Sequence, residues 1–352
     1  MKTNYSPSVN IIRDAQKGLE YIVTENAENS AIKILNDFNK GFHSFSIIGS
    51  YGTGKSSFLW AFQQTLTKQA DLFDLKLPNG INKVDVVNLV GDYNSLIESF
   101  NQEFLIERDF SSNQKLFDAI FQRYTKLGKD GLLLIQIDEF GKFLEFAANN
   151  NPEKEMYFIQ QLAEFVNDPS RNIILLTTLH QGLDTYASKL TDGQKNEWRK
   201  VRGRLQEITF NEPVEQLLTL ASNHFVEQLG ETNETEYSKA LVSLQQNKHI
   251  FSTKGDYFAG LKNTLFPLDI FSAYVLTLSL QRYGQNERSL FSFLQASDDL
   301  GLNDSKRKNA HFSISSVYDY LLSNFYQLLT TRAVSDFSKW SSIRDSIQRI
   351  EI

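Results

Sequence analysis

Gly49-Ser50-Tyr51-Gly52-Thr53-Gly54-Lys55-Ser56 has the spacing G-x-x-x-x-G-K-S. These residue types suit one task, holding a chain of phosphates. Glycines let the backbone curl until several N–H groups point inward at phosphate oxygens. A helix starting near Lys55 adds the positive end of its dipole. The Lys55 ammonium should reach the outer phosphates and the Ser56 hydroxyl should ligate Mg²⁺. The residues from Gly49 to Ser57 are therefore the expected cradle for ATP and its Mg²⁺. On average residue frequencies this pattern arises by chance about once per hundred chains of this length. Context makes it more specific, because an apolar run, Phe45–Ile48, stands before it and a helical pattern follows it.

A second constellation lies at Asp138-Glu139, directly after the apolar run Leu132–Ile137. A strand buried on both faces delivers such carboxylates to the C-terminal edge of a sheet, where ligands bind in open α/β folds. Asp138 is expected to hold Mg²⁺, through water, and Glu139 to orient or deprotonate an attacking water. Alone, two acids after a strand could equally be a solvated turn; beside the phosphate loop the catalytic reading is favoured. A glutamate next to the metal-binding aspartate suits an ATP hydrolase, and no motif for a phosphoryl acceptor is apparent.

The elements that must position these residues follow from periodicity. Phe45–Ile48, Val84–Val90, Leu132–Ile137, Ile173–Thr178 and Leu205–Phe210 read as strands. Lys55–Leu66, Lys115–Tyr124 and Pro152–Val166 read as helices, the last with Asn151 as N-cap and Pro152 in its first turn. The long stretch between Lys55 and Asp138 leaves room for an extra strand, Val84–Val90, between the two motif strands. Alternation of this kind predicts a three-layer αβα domain with a mostly parallel five-stranded sheet. After Phe210 the strand signal fades into helical spacing at 214–221, 266–280 and 288–294. Ser316 and Asp319 form a capping-box pattern, and Trp340, Ile343, Ile347 and Ile350 a further amphipathic stripe. The expected divisions are a nucleotide-binding domain over 1–211, an all-α lid over 212–300 and a helical extension over 301–352. That extension is either the start of a further domain of a longer protein or a helix docking on the lid.

Bulk composition narrows the function classes. With 352 residues the chain can bury more than one core. A net charge of −6 argues against a surface built throughout to coat nucleic acid. The absence of cysteine excludes disulfides, thiolate catalysis and zinc-thiolate sites. The N-terminal stretch lacks an apolar signal core and no apolar run approaches a membrane span, so a cytoplasmic location without membrane contact is expected.

Together these strings resemble AAA+ ATPases of the initiator and STAND-related clade. Arg202-Gly203-Arg204-Leu205-Gln206-Glu207-Ile208-Thr209-Phe210, then Pro213, looks like the corresponding stretch of origin-recognition ATPases. Asp138-Glu139-Phe140-Gly141-Lys142-Phe143-Leu144-Glu145, Thr178-Leu179-His180-Gln181, Glu197-Trp198 and Asn286-Glu287-Arg288-Ser289-Leu290-Phe291-Ser292-Phe293-Leu294 look like large bacterial ATPases of phage-defence islands, including bacteriophage-exclusion systems. The resemblance implies several roles. Thr178 would face the γ-phosphate and water, with His180 and Gln181 close behind; His180 could instead be a cap or interface residue. Arg202 or Arg204 would reach into a neighbouring subunit's ATP, a task for a permanently charged guanidinium; a solvated basic turn or DNA-phosphate contacts is the alternative. Arg288 would sense nucleotide from the lid, or serve as a salt-bridge residue. ATP-driven switching in a homo-oligomer or defence complex, on or near DNA, is what the family implies. The competing readings are a slow, nucleotide-locked scaffold and a DNA-loading or remodelling ATPase. For the latter, the short basic run Lys306-Arg307-Lys308 is too small to serve as a DNA-reading module.

Overall fold

Each expected strand pairs in parallel with its neighbours in a single sheet. In the computed structural model these are β1 (Ser44–Ile48), β2 (Lys83–Val90), β3 (Gly131–Asp138), β4 (Ile173–Leu179) and β5 (Gln206–Thr209), in the order β2-β3-β4-β1-β5. The structure describes residues 9–19, 21–78, 80–106, 113–187, 190–210, 246, 268–283, 287–294, 298–302, 312–329 and 337–350. The chain divides into two compact units, Met1–Asn211 and Glu212–Ile352.

In the first unit the sheet carries helices on both faces. Side chains of successive strand residues point to opposite faces. Leu132 and Leu134 of β3 therefore join Phe45, Ile47, Ile174 and Leu176 in a core with α1 (Glu25–Phe38) and α2 (Lys55–Leu66). Leu133, Ile135 and Ile137 enter a second core. Its helices are α3 (Leu96–Glu103), α4 (Gln114–Thr125), α5 (Phe140–Asn150), α6 (Pro152–Val166), α7 (Leu183–Tyr186) and α8 (Asp192–Arg202). The near-continuous apolar character of β3 and β4 is the direct result: every residue of both strands is buried.

Val84–Val90 does lie between the two motif strands along the chain, but β2 occupies the outer edge of the sheet. It is β4 that separates β1 from β3 in space. Burial explains the order. Lys83, Asp85 and Asn88 are polar positions that an edge tolerates, and only Val87 and Leu89 of β2 are buried, whereas β4 is apolar enough for the centre. The Asn151 side chain accepts the Lys154 N–H and caps α6, which begins at Pro152. Residues 197–202 are helical rather than a turn. They end α8, which starts in a reciprocal Thr191–Gln194 capping box. Only Trp198 and Val201 of α8 are buried, too sparse a stripe to read as a period.

In the second unit the described elements are α9 (Ile270–Tyr283), α10 (Glu287–Leu294), α11 (Ile314–Leu329) and α12 (Phe337–Ile350), with one isolated bridge between Leu268 and Phe312. Phe293 packs edge-to-face on Phe312 and Tyr320. The Tyr320 hydroxyl donates to Asp298 at 2.7 Å, and burial pushes its pKa up. The expected capping box at Ser316 is not one: α11 already begins at Ile314, and the Val317 N–H bonds to the carbonyl of Ser313. Residues 214–221 and 306–308 lie outside the described residues.

Candidate functional site

The phosphate-type loop leaves the C-terminal end of β1 and closes into α2. A methyl group on Gly49 would sit 2.0 Å from the Phe210 carbonyl oxygen, so the loop exit admits only glycine. Gly54, at φ 76°, turns the chain into α2 without a side-chain cap, leaving the first N–H groups of that helix for a ligand. Thr53 donates back to the Ser50 carbonyl at 2.9 Å. Lys55 is only 5% exposed, and its ammonium donates to the carbonyls of Gly49 and Ser50 at 2.6 and 2.7 Å. A buried cation thus sits against the loop. Ser56 and Ser57 occupy the first turn of α2, half-buried.

Two strands away, β3 brings Asp138 to the same edge of the sheet, where Ser56 at the start of α2 is among the groups that act on its carboxyl. Asp138 is 4% exposed, and burial raises its pKa. Hydrogen bonds from Thr178 and the Glu139 N–H, with the nearby Ser56 hydroxyl, oppose that rise. The Thr178 hydroxyl donates to Asp138 Oδ1 at 2.6 Å and accepts the Glu139 N–H at 2.9 Å. The Glu139 N–H also reaches Asp138 Oδ1 at 3.0 Å. Thr178 therefore meets the acid pair directly.

The chain then turns sharply. Glu139 has φ 50°, in the left-handed region, and α5 starts at the next residue. The turn lies against Gly91, whose N–H donates to the Asp138 carbonyl at 2.8 Å; a methyl group there would be 2.1 Å from the Glu139 carbonyl oxygen. The Glu139 carboxylate is ion-paired with Lys142, three residues on. Neither Gly91 nor Lys142 was expected at the site. The only local signal was Gly91's position one residue past an apolar run.

A Mg²⁺ ion fits this donor set. Magnesium takes one or two protein oxygens and fills its octahedron with water and phosphate. Ser56 and Asp138 offer that pair of hard donors, and no cluster of three or more His, Cys, Asp or Glu suited to a metal occurs among the described residues.

His180 follows β4 and stacks on Tyr51 of the loop, ring centroids 3.4 Å apart. Its Nδ1 is buried without a hydrogen-bond partner. Burial, then the nearby Lys55 charge, lowers its pKa to about 4.

The arginines are not brought to this cluster. In the parallel sheet Gln206 of β5 pairs with Phe45 at the start of β1, so Arg204 stands at the opposite edge from the loop. At about 3.3 Å per residue that is on the order of 15–20 Å away. Arg204 is ion-paired with Glu164 and donates to the Lys200 carbonyl. Arg202 is ion-paired with Asp184 and Glu207. Arg288 lies in α10, in the second unit; its side chain lies outside the described residues. No helix among the described residues is long and apolar enough to cross a membrane.

No family model and no curated protein sequence matches the chain. Among solved structures it is similar to Cdc6p from Pyrobaculum aerophilum, at 12% identity and TM-score 0.40, over 82% of this chain and 64% of that one. It is also similar to the ADP form of ORC2 from Aeropyrum pernix, at 14% identity and TM-score 0.44, over 91% of this chain and 74% of that one. A third is Hsp104 from S. cerevisiae in its casein complex, at 13% identity and TM-score 0.44, over 97% of this chain and 51% of that one. The chain thus spans less than two thirds of the length of Cdc6p and about half that of Hsp104.

Proposed function

We propose that this chain is an ATP-hydrolysing module of the AAA+ type. One observation carries the reading: the glycine loop, Lys55, the Ser56–Asp138 pair and Glu139 meet at one edge of one sheet. In this reading the loop N–H groups and Lys55 hold the phosphates, and Ser56 and Asp138 hold Mg²⁺, which neutralises charge on the phosphate oxygens. Glu139 accepts a proton from water as the water oxygen bonds to the terminal phosphorus and the bond to ADP breaks. Thr178 holds Asp138 and Glu139 in register.

The finer readings rest on the resemblance. Residues 212–300 would be a lid carrying Arg288, and 301–352 a helical extension. Arg202 or Arg204 would complete a neighbouring subunit's site, and the assembly would switch with ATP in a phage-defence complex on or near DNA. Protection of cells against phage infection, lost with Glu139→Gln, tests that role. The slow-scaffold reading draws support from the engagement of Glu139 by Lys142, which favours a low basal rate.

The core reading predicts that Lys55→Ala abolishes ATP binding, since the main side-chain counter-charge is gone. Glu139→Gln should bind Mg-ATP at least as well as wild type yet barely hydrolyse it. Equilibrium binding of labelled ATP and a steady-state phosphate-release assay check both. Normal ATP affinity in folded Lys55→Ala sinks the assignment.

A further inference from the structure

The glycine loop is tied to the end of β4 at two successive places. At its start the Gly49 N–H donates to the Leu179 carbonyl at 3.1 Å. Two residues on, the Tyr51 ring lies on the imidazole of His180, the residue after Leu179, with centroids 3.4 Å apart and planes inclined by 22°. Thr53 and Lys55, by contrast, donate to the carbonyls of Gly49 and Ser50, bonds that shape the loop from within. Gly52 and Gly54 flank Thr53 at φ 73° and 76°. A stretch so rich in glycine has much backbone freedom to lose when it closes on a ligand. Tyr51 is 61% exposed, so its ring fills no core; what it covers is His180. That imidazole is half-buried, and its Nδ1 has no hydrogen-bond partner. Burial keeps it neutral, with a pKa of about 4, so the contact is ring on ring and not cation on ring.

We propose that Tyr51 and His180 form a stacked anchor that holds the glycine loop in shape for the phosphates of ATP. The proposal rests on the reading of the loop as an ATP cradle. Both are positioning residues in it, and neither ring touches the nucleotide. A loop ordered before binding loses less freedom on binding, so the anchor acts on affinity. An aromatic pair of this kind is worth about two- to tenfold in an equilibrium constant.

The test measures Kd for labelled Mg-ATP by equilibrium binding, and KM and kcat by phosphate release. Tyr51→Ala should raise Kd about two- to tenfold. KM should change more than kcat, because Asp138, Glu139 and Thr178 keep their mutual contacts. Tyr51→Phe, which keeps the ring, should bind as tightly as wild type. His180→Phe should do likewise, whereas His180→Ala should weaken binding as Tyr51→Ala does. The double alanine variant should bind no more weakly than either single one, since each ring acts through the other. An unchanged Kd in Tyr51→Ala overturns the anchor, as does a double variant whose losses multiply. Weak binding by His180→Phe also overturns it, and would assign the imidazole nitrogens to the phosphates. A wild-type chain that binds no ATP overturns the ATP-site reading and the anchor with it; tight wild-type binding with no response to Tyr51→Ala overturns the anchor alone.

Discussion

At the scale of single residues, the polar end of β4 is where chemistry and folding meet. Thr178 spends its hydroxyl on Asp138 and the Glu139 N–H, so its reach is to the acids themselves. His180, two residues on, is held neutral by burial and by the neighbouring Lys55 charge, with a pKa near 4 against 6.5 for the free side chain. The sign of its pH effect follows. Between those values the unfolded chain takes up a proton that the folded chain refuses, so stability is full above pH 6.5 and falls as the pH drops toward 4. His180→Gln should flatten that slope. In urea unfolding at pH 7 and pH 5, wild type should lose more stability than the variant, by no more than about 2 kcal/mol. Equal losses in the two proteins would mean that the imidazole is not shielded.

Among the elements, the contact between the end of β2 and the start of α5 sets the geometry of Glu139. A left-handed residue at a strand-to-helix junction persists only where its surroundings hold it. Here Thr178 holds it from β4 and Gly91 from β2. Gly91→Ala would drive a methyl into the Glu139 carbonyl, 2.1 Å away. The expected cost is about 1–3 kcal/mol in unfolding free energy. Turnover should fall further than ATP affinity, because the displaced group belongs to the acid turn and not to the loop. Denaturant titration and the phosphate-release assay measure the two effects. A variant with wild-type stability and turnover would show that the turn yields without consequence.

For the whole molecule, the arginines raise the question of assembly. Arg204 lies just before β5, at the opposite edge of the sheet from the glycine loop of its own chain, and Arg202, at the end of α8, is engaged by Asp184 and Glu207 and not by the loop. If Arg204 acts in ATP hydrolysis, it acts on a second copy, and the same test covers Arg202. Arg204 is held by Glu164 and the Lys200 carbonyl; Arg202, at 47% exposure, is the more open of the two and is held by Asp184 and Glu207. A trans arginine is worth about a thousandfold or more in rate. Turnover per chain should therefore rise with protein concentration, and replacing the acting arginine should cripple turnover while sparing ATP affinity. Mixing that variant with Glu139→Gln should restore part of the activity, since some sites regain both groups. A mixture that stays inactive although its subunits assemble would remove the arginines from the reaction.

The sequence by itself determined the elements that carry the proposed site. An apolar run flanked by glycines or acids has few ways to fold, and local spacing held the glycine loop, the strand ending in Asp138-Glu139 and the parallel sheet. α2 and α6 even have the boundaries that their periodicity predicts, from Lys55 to Leu66 and from Pro152 to Val166. Helices with sparse apolar faces, such as α8, were not legible, because their stability comes from packing. Only the tertiary structure decided that β4 and not β2 separates the two motif strands, and that Thr178 belongs to the acid pair. It also decided that Gly91 and Lys142 meet at Glu139. Those contacts join residues from different strands and helices. No local spacing encodes them, because they exist only once the sheet has chosen its order and its two cores have closed around it.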